Sequence, residues 1–251
     1  MRHWCPGYPW RMSWPMELFQ AGAYWGCRDE SAEACARRAE VLFGQLGRCD
    51  PAYAQWYEYV YSRKHALRLP FKPTAETFLG FFDRKKYRLG KDGFIFEAWT
   101  GQEQRGRGGM LSFTCGSGLP FYANGCLLHL PREQPAAGRV LTVPVLTEVV
   151  RALVLAWDPD GCAVISEEDR DSKKALEASA PCMGWLTYFS HQRGRVPPLP
   201  RPVRVEPMEN RGTLVILTPE RFSVENRAHV DLAERVRVRL AAAGLLPPPQ
   251  G

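Results

Sequence analysis

Three short segments near the middle of the chain constrain the fold most. Residues 94–99, 110–115 and 126–130 each alternate apolar and polar side chains, and Gly-rich breaks separate them. Such alternation is typical of strands that place one face on a core. Further strands are expected at 21–26, 162–165, 183–189, 203–206 and 213–217. The last of these is a continuous apolar run, which predicts a central strand.

Helical periodicity begins soon after the first strand. Asp29 or Ser31 is a candidate N-cap, and apolar residues then recur at the spacing of one helix face. Gly47 is expected to end this helix, because glycine is favoured just beyond a helix C-terminus. The predicted buried face consists of Ala32, Cys35, Ala36, Ala39, Leu42, Phe43 and Leu46.

Four more helices are expected. Asp50-Pro51 is predicted to open a second helix, because proline is favoured at the first helical position. Its aromatic face would hold Tyr53, Trp56, Tyr57 and Val60. Thr74 and Asn226 are candidate caps of two others. Residues 145–157 are apolar nearly all round, which predicts a largely buried helix.

These elements predict an α+β fold with a mostly antiparallel central sheet, and with helices at the N-terminal and C-terminal ends packed on it. Helices lie mainly at the two ends, strands lie in the middle, and the regular strand–helix alternation of a parallel sheet is missing. We expect a single domain over residues 20–246. Residues 1–19 are expected to form an N-terminal extension outside the fold, and residues 247–251 a Pro-rich tail.

Composition and cysteine spacing predict a cytoplasmic protein with reduced thiols. The chain has no run of 18 apolar residues, which argues against a membrane-spanning helix. Its start is interrupted by Pro6, Pro9, Arg11 and Pro15, so it does not resemble a secretory signal. The eight cysteines include no C-x-x-C pair and no zinc-finger spacing. We therefore expect neither a metal site nor a cofactor.

A search for catalytic motifs finds no recognisable constellation. Gly116-Ser117-Gly118 lacks the preceding glycine of a nucleophile elbow, and neither a metalloprotease motif nor a phosphate-binding loop occurs. The five histidines are scattered along the chain. We therefore expect no catalytic residues, although a hydrolase built on a Cys or Ser and a His that meet only in space stays open.

The charge distribution is uneven. The chain carries 33 basic and 27 acidic residues, yet the window from Asp158 to Glu177 holds seven acids and three bases. This window is either a solvated loop or a negative patch that docks into a basic cleft. The candidate partner-binding acids are Glu167, Glu168, Asp169 and Asp171. The positive charge elsewhere leaves a nucleic-acid-binding module as a further alternative.

Two tryptophans beside glycines are the other candidates for partner contact. Trp25 precedes Gly26 and Trp185 follows Gly184, both at predicted strand ends. Tryptophan is usually well buried, which favours a core role. It is also enriched among the residues that dominate binding energy at interfaces, so interface anchoring is the alternative.

The order and spacing of several short motifs resemble the immunity protein 52 family over residues 20–246, nearly the whole chain. The opening motif is Tyr24-Trp25-Gly26-x-Arg28-x-Glu30-Ser31-x-x-x-Cys35-Ala36-x-Arg38, followed by Asp50-Pro51 and Trp56. The later motifs are Gly184-Trp185-Leu186-Thr187-Tyr188, Gly212-Thr213-Leu214, Leu217-Thr218-x-Glu220-x-Phe222, Leu232-Ala233 and Ala243-Gly244-Leu245.

The resemblance implies an α+β antidote of a bacterial polymorphic toxin system, including those served by contact-dependent secretion such as type VI secretion. Such a protein binds its cognate toxin, usually a metal-dependent nuclease of restriction-endonuclease fold, and has no catalytic residues of its own. Direct contact with nucleic acid or membrane is not expected. Nuclease antidotes are often acidic, whereas this chain has a net charge of +6. The electrostatic argument therefore depends on the acidic window.

Overall fold

The structure is a computed structural model, and it describes residues 17–60, 62–90, 93–101, 108–120, 122–167 and 183–246. Within these residues the chain forms one sheet of ten strands, and every strand pairing is antiparallel. The strands are β1 (Phe19–Trp25), β2 (Trp56–Glu58), β3 (Pro70–Phe71), β4 (Phe94–Trp99), β5 (Met110–Cys115), β6 (Asn124–His129), β7 (Gly161–Ser166), β8 (Leu186–Ser190), β9 (Arg204–Met208) and β10 (Gly212–Ile216).

The strand order is β3-β2-β4-β5-β6-β1-β7-β8-β10-β9. The N-terminal strand β1 is therefore inserted at the centre, between β6 and β7, rather than at an edge. It pairs with β6 over Gln20–Trp25 and with β7 over Phe19–Tyr24. Strand β1 therefore joins strands β2–β6 on one side to strands β7–β10 on the other, and the described strands form one continuous sheet.

Six α-helices accompany the sheet in the described residues. They are α1 (Ala32–Cys49), α2 (Arg63–Ala66), α3 (Ala75–Phe82), α4 (Ala136–Val140), α5 (Val143–Trp157) and α6 (Arg227–Ala242). The expected α+β class and antiparallel sheet are confirmed. The expected placement of the helices only at the two ends is not, because α4 and α5 connect β6 to β7 in the middle of the chain.

One face of the sheet is covered by α1, α3 and α5. Trp157 of α5 contacts the Phe113 ring of β5 at 5.1 Å between centroids, and Phe78 and Phe82 of α3 approach the same ring at 6.4 Å. Helix α1 packs between α3 and α5. Its expected buried face is confirmed from Cys35 to Leu46, whereas Ala32 is only partly buried.

The opposite face of the sheet is covered over only one half. All five residues of β8 and five of the six in β7 are buried, so both faces of these strands are covered. Helix α5 contacts one face of β7 and β8. Apolar residues of α6 and of the segment 194–203 belong to the same buried core. Arg239 of α6 joins the two segments by donating a hydrogen bond to the Pro198 carbonyl at 3.1 Å.

Three helix starts agree with the predictions because a side chain satisfies a free backbone amide at each. Ser31, Thr74 and Asn226 accept hydrogen bonds from Ala34, Thr77 and Ala228 respectively. Gly47 does not end α1, which continues to Cys49. The reason is that the C-terminal cap is Asp50 in an extended conformation, so no left-handed glycine is needed.

The predicted second helix is wrong. Asp50-Pro51 opens only a short 3₁₀ turn over Pro51–Tyr53, and strand β2 follows it. The aromatic side chains there fit a pleated strand, and Trp56 packs edge-on against Phe43 of α1 at 4.8 Å between centroids. Strand β10 is also not central, since it lies second from the edge between β8 and β9. Its apolar run fits its burial, since four of its five residues are buried although the strand is not at the centre.

Residues 17–19 belong to the fold rather than to an extension. Phe19 is a buried residue of β1, and the Glu17 carbonyl accepts a hydrogen bond from Arg221 at 3.0 Å. The rest of the expected extension, residues 1–16, and the expected Pro-rich tail lie outside the described residues. No helix in the described part of the chain is both long enough and apolar enough to cross a membrane.

Candidate functional site

A partly exposed sheet surface, here called the open half-face, lies opposite the helical layer. It consists of the outward-facing residues of β4, β5 and β6: Ile95, Glu97, Trp99, Met110, Ser112, Thr114, Gly125, Leu127 and His129. Partly exposed positions alternate with buried ones throughout β5 and β6, and in β4 from Ile95 onward, as expected where one face meets the core and the other meets solvent. This regularity contrasts with the uniform burial of β7 and β8.

The open half-face contains a shallow depression with a volume of about 310 Å³. Its walls come mainly from Ile95, Glu97, Ser112, Thr114 and Leu127. These five side chains combine two apolar groups, two hydroxyls and one carboxylate. Such a mixture suits contact with another protein surface better than it suits a closed catalytic pocket.

A second depression of about 360 Å³, here called the groove, lies beside the open half-face and is lined by residues of β1, β7 and β8 and of the adjoining loops. It is lined by residues that include Cys27, Asn124, Asp160, Phe189 and Arg193. Asp160 accepts a hydrogen bond from the Gly26 amide at 3.0 Å, and Arg193 donates one to the Leu245 carbonyl at 3.2 Å. The groove therefore has one acidic and one basic wall, each held in place by the backbone.

Tyr24 separates the groove from the depression and lines both. Its ring lies against Gly22 and Gly125. A Cβ atom added at Gly22 would come within 2.7 Å of the Tyr24 hydroxyl, and one added at Gly125 would come within 3.2 Å of the Tyr24 ring. The two glycines therefore provide the space for this ring. Because the depression and the groove meet at Tyr24, they form one continuous concave surface around this residue.

The open half-face is poor in cations, although the chain as a whole is basic. None of the strand residues on this face of β1, β4, β5, β6 and β7 is Lys or Arg. Glu97 forms no ion pair with any residue that the structure describes. Among the described residues, the Glu97 carboxylate therefore has no cationic partner within ion-pair distance.

The predicted acidic site is only partly within the described residues. Glu167 lies directly after β7 at the border of the open half-face, where its carboxylate contacts Nδ1 of His129 at 3.1 Å. Glu168, Asp169 and Asp171 lie outside the described residues. The one acid of the four that can be placed therefore borders the same surface that carries Glu97.

The two candidate tryptophans lie in the core. Trp25 is 5% exposed and stacks on Trp157 at 5.1 Å between centroids, although it also borders the groove. Trp185 is 1% exposed, and its indole Nε1 donates to the Thr218 carbonyl at 2.9 Å. Interface anchoring by these side chains is not supported, because almost none of their surface can reach a partner. The core role, the first of the two considered for them, fits this burial.

The opening motif of the resemblance also has a structural role. Arg28 donates to the carbonyls of Trp157 and Asp158 at 2.8 and 3.0 Å, and Arg38 donates to the Ala156 carbonyl at 2.9 Å. These carbonyls end α5, where positive charge is stabilising. The motif therefore fixes α5 against the sheet and does not form the exposed surface.

Local sequence signals did not identify the open half-face. The alternation in 94–99 and 110–115 showed that one side of each strand is polar, and Glu97, Ser112 and Thr114 stand at those positions. The missing information was which strands pair and which faces the helices cover. That depends on contacts between residues far apart in the chain, such as β1 with β7.

The hydrolase alternative requires a His ring within hydrogen-bond reach of a Cys or Ser side chain. No histidine ring in this part of the chain is hydrogen bonded to a Cys or Ser side chain; the His129 ring contacts Glu167, and the His229 ring contacts Glu220 and the Ser223 amide. No group of three or more His, Cys, Asp or Glu residues is arranged to hold a metal ion in the described ranges.

The family comparison decides the classification. The model of the immunity protein 52 family (Imm52) matches residues 17–249, which is nearly the whole chain. The chain belongs to the immunity protein 52 family. The match begins at the same residue as the described fold, two positions before β1. The open half-face and the groove are therefore features of an Imm52 domain.

Comparison with solved structures adds a fold relative of this Imm52 protein. The Pseudomonas aeruginosa T6SS protein PA0821 superposes with a TM-score of 0.51 and 10% sequence identity, covering 90% of this chain and 75% of that protein. At this identity the likeness concerns the fold alone. No curated protein matches the chain.

Proposed function

We propose that this protein is an immunity protein that binds and neutralises a cognate bacterial toxin by forming a stoichiometric complex. The observation that carries the proposal is membership of the Imm52 family over residues 17–249. The continuous concave surface around Tyr24 supports it, because a mixed apolar and polar surface of this kind suits a protein partner. Neutralisation would then come from binding and would need no cofactor.

The proposed partner is a metal-dependent nuclease of restriction-endonuclease fold, delivered by type VI or another contact-dependent secretion route. The fold relative is named as a T6SS protein, which supports this context. A nuclease must hold phosphates with Lys and Arg, so its substrate cleft is cationic. The acidic window from Asp158 to Glu177, with Glu167, Glu168, Asp169 and Asp171, is the proposed complement of that cleft. Cytoplasmic action is proposed on the same basis, since the toxin's nucleic-acid substrate lies there.

The proposal is tested with the toxin encoded by the neighbouring gene. Cells that express this toxin from an inducible promoter are expected to die, and co-expression of the immunity protein is expected to restore growth. An inactive toxin variant and the immunity protein, mixed after separate purification, should elute together as a complex of fixed stoichiometry. The purified immunity protein alone is expected to leave DNA and RNA intact.

A toxin of an unrelated system serves as the control and should not be neutralised. Failure of the immunity protein to bind or to rescue from its neighbouring toxin would contradict the proposal. Hydrolytic activity that persists through purification and is abolished by substituting one Cys or Ser together with one His would instead favour the hydrolase alternative.

A further inference from the structure

We propose that the open half-face and the adjoining groove form the docking surface for the toxin, and that they receive a cationic segment of it carrying an apolar side chain. This inference rests on the proposed function. It goes beyond that function by assigning a surface made mainly by strands β4, β5 and β6, which the acidic window borders through Asp160 and Glu167. It also states the chemistry of the segment that the surface accepts.

The first argument is the asymmetry of burial. The chain covers the opposite face of the sheet with three helices and covers β7 and β8 on both sides. It leaves β4, β5 and β6 partly exposed at every second residue. Leu127 and Ile95 contribute apolar surface there, and burying it against a partner would be favourable at about 25 cal/mol per Å².

The second argument is charge. The open half-face and its borders carry three described acids, Glu97, Glu167 and Asp160, against one arginine, Arg193 on the groove wall, and His129 beside Glu167. The strand residues of this face include no Lys or Arg. In a chain with 33 basic residues, this surface is locally negative. A cationic partner segment would be attracted to it, and an acidic one would be repelled. The phosphate-binding surface of the proposed nuclease supplies such a segment.

The third argument is shape. The depression beside Glu97 and the groove beside Asp160 share Tyr24, Ala123 and Asn124 in their walls. A partner segment lying across Tyr24 would therefore contact both without a gap. The groove has a volume of about 360 Å³, and the partly exposed Tyr24 and the exposed Tyr122 give it aromatic walls. Side chains that fill such pockets at the centre of an interface commonly dominate the binding energy.

The test compares charge variants on the two faces of the sheet. Glu97→Lys places a cation where the toxin is proposed to carry cations, and Glu97→Gln removes the charge alone. Glu40→Lys is the matched control, because Glu40 is exposed on α1 in the helical layer. The dissociation constant and the association rate with the inactive toxin are measured at low and high salt. Circular dichroism melting checks that each variant is folded.

We expect Glu97→Lys to weaken toxin binding by more than about tenfold and to slow association, because like charges across an interface are strongly unfavourable. The dissociation constant and association rate of Glu97→Gln should lie between those of Glu97→Lys and those of the unchanged protein. The salt dependence of association should decrease in the same order, since steering by charge is screened by salt. Glu40→Lys should bind within about twofold of the unchanged protein, because it lies on the other face.

A second pair of variants separates charge from bulk. Ser112 lies in the depression and makes no side-chain hydrogen bond with any residue the structure describes. Ser112→Arg and Ser112→Glu add long side chains of opposite sign at one site. We expect Ser112→Arg to weaken binding by more than about tenfold and Ser112→Glu to bind more tightly than Ser112→Arg.

The outcomes distinguish this inference from the proposed function. If the unchanged protein binds the toxin, and Glu97→Lys and Ser112→Arg each bind it as tightly as the unchanged protein does, the proposed docking surface is wrong and the immunity function stands. If the unchanged protein does not bind the toxin, the function itself is contradicted. Light scattering provides a further check. A dimer that Ser112→Arg converts to a monomer would show that a second copy of the chain occupies this face, which would overturn the inference.

Discussion

At the scale of single residues, Asp50 shows how a charged group is retained in the interior. Its side chain is almost enclosed, with 6% of the residue exposed, and it accepts two hydrogen bonds from Arg139 at 2.9 and 3.0 Å and one from the Ala52 amide at 2.8 Å. Burial acts to raise the pKa of Asp50, but the Arg139 and Ala52 hydrogen bonds outweigh it, so the pKa lies below its ordinary value. Asp50 therefore joins α1, the following 3₁₀ turn and α4.

Replacement of Asp50 by alanine is expected to lower the free energy of unfolding by about 2 kcal/mol at pH 7, because a cap and a charged hydrogen-bond pair are lost. A carboxylate with a depressed folded-state pKa stabilises the fold above its unfolded pKa of about 3.9 and loses this effect as the pH falls through the lower folded value. The difference between the two proteins should therefore shrink below about pH 4. Urea denaturation across pH measures it.

Asp83→Ala is the control for this change. Asp83 is 81% exposed on its side chain and pairs with Arg88 at 3.5 Å at the surface. Its loss should change the free energy of unfolding by no more than about 0.5 kcal/mol. Equal stability of the Asp50 and Asp83 variants would show that the buried pair contributes no more than a surface pair.

At the scale of elements, hydrogen bonds from three arginines hold the C-terminal end of α5 in place. Arg28 from the β1–α1 connection and Arg38 from α1 donate to three of its last carbonyls, and Arg211 donates to the Val154 carbonyl at 3.2 Å. Asp158 closes the helix with a left-handed backbone, φ 47°. Arg28 and Arg38 therefore satisfy carbonyls that the end of a helix leaves free. Arg211 adds a second donor to the Val154 carbonyl, which also accepts the Asp158 amide at 3.0 Å.

We expect Arg28→Met to lower the free energy of unfolding by about 2 kcal/mol, since two hydrogen bonds from a charged donor are lost. Arg37→Met is the matched control, because Arg37 is exposed on α1 and donates no hydrogen bond in the described structure. It should have nearly the stability of the unchanged protein. Guanidinium denaturation of the three proteins gives the comparison. If both variants unfolded at the same denaturant concentration, the stabilising role of Arg28 would be refuted.

At the scale of the whole molecule, the fold is held by packing and hydrogen bonds and not by cross-links within the described residues. The six cysteines in this part of the chain are free, and Cys35, Cys115, Cys126 and Cys162 are buried. Burial raises the pKa of the Cys126 thiol, and together with the neighbouring Cys35 it also raises the pKa of Cys115. Both thiols are therefore protonated and unreactive in the folded protein.

The melting temperature is expected to be the same within about 1 °C with and without reductant, because the described cysteines form no disulfide that reduction could break. Alkylation of the folded protein followed by mass spectrometry provides an independent check. The exposed Cys27 should react, whereas Cys35, Cys115, Cys126 and Cys162 should react only after unfolding. A large drop in melting temperature on reduction would contradict this account.

The predictions from sequence succeeded for features that short-range interactions determine and failed for features that depend on long-range packing. The caps at Ser31, Thr74 and Asn226, the strands at 94–99 and 110–115, and the buried helix ending at Trp157 were predicted, because each depends on neighbours within a turn or on the period of one strand. The second helix failed because tertiary packing against α1 overrode the local signal of Asp50-Pro51.

The sequence by itself determined the α+β class, the family and most of the elements, since periodicity, capping and motif order are written in residues close together along the chain. Only the tertiary structure decided that β1 is central, that Trp25 and Trp185 are core residues, and that β4, β5 and β6 keep one face open. These features arise from pairings between distant segments, such as β1 with both β6 and β7. The physical reason is that the polar side of a strand has the same sequence pattern whether solvent or a partner covers it. Only the placement of the helices determines which surface of the sheet stays exposed.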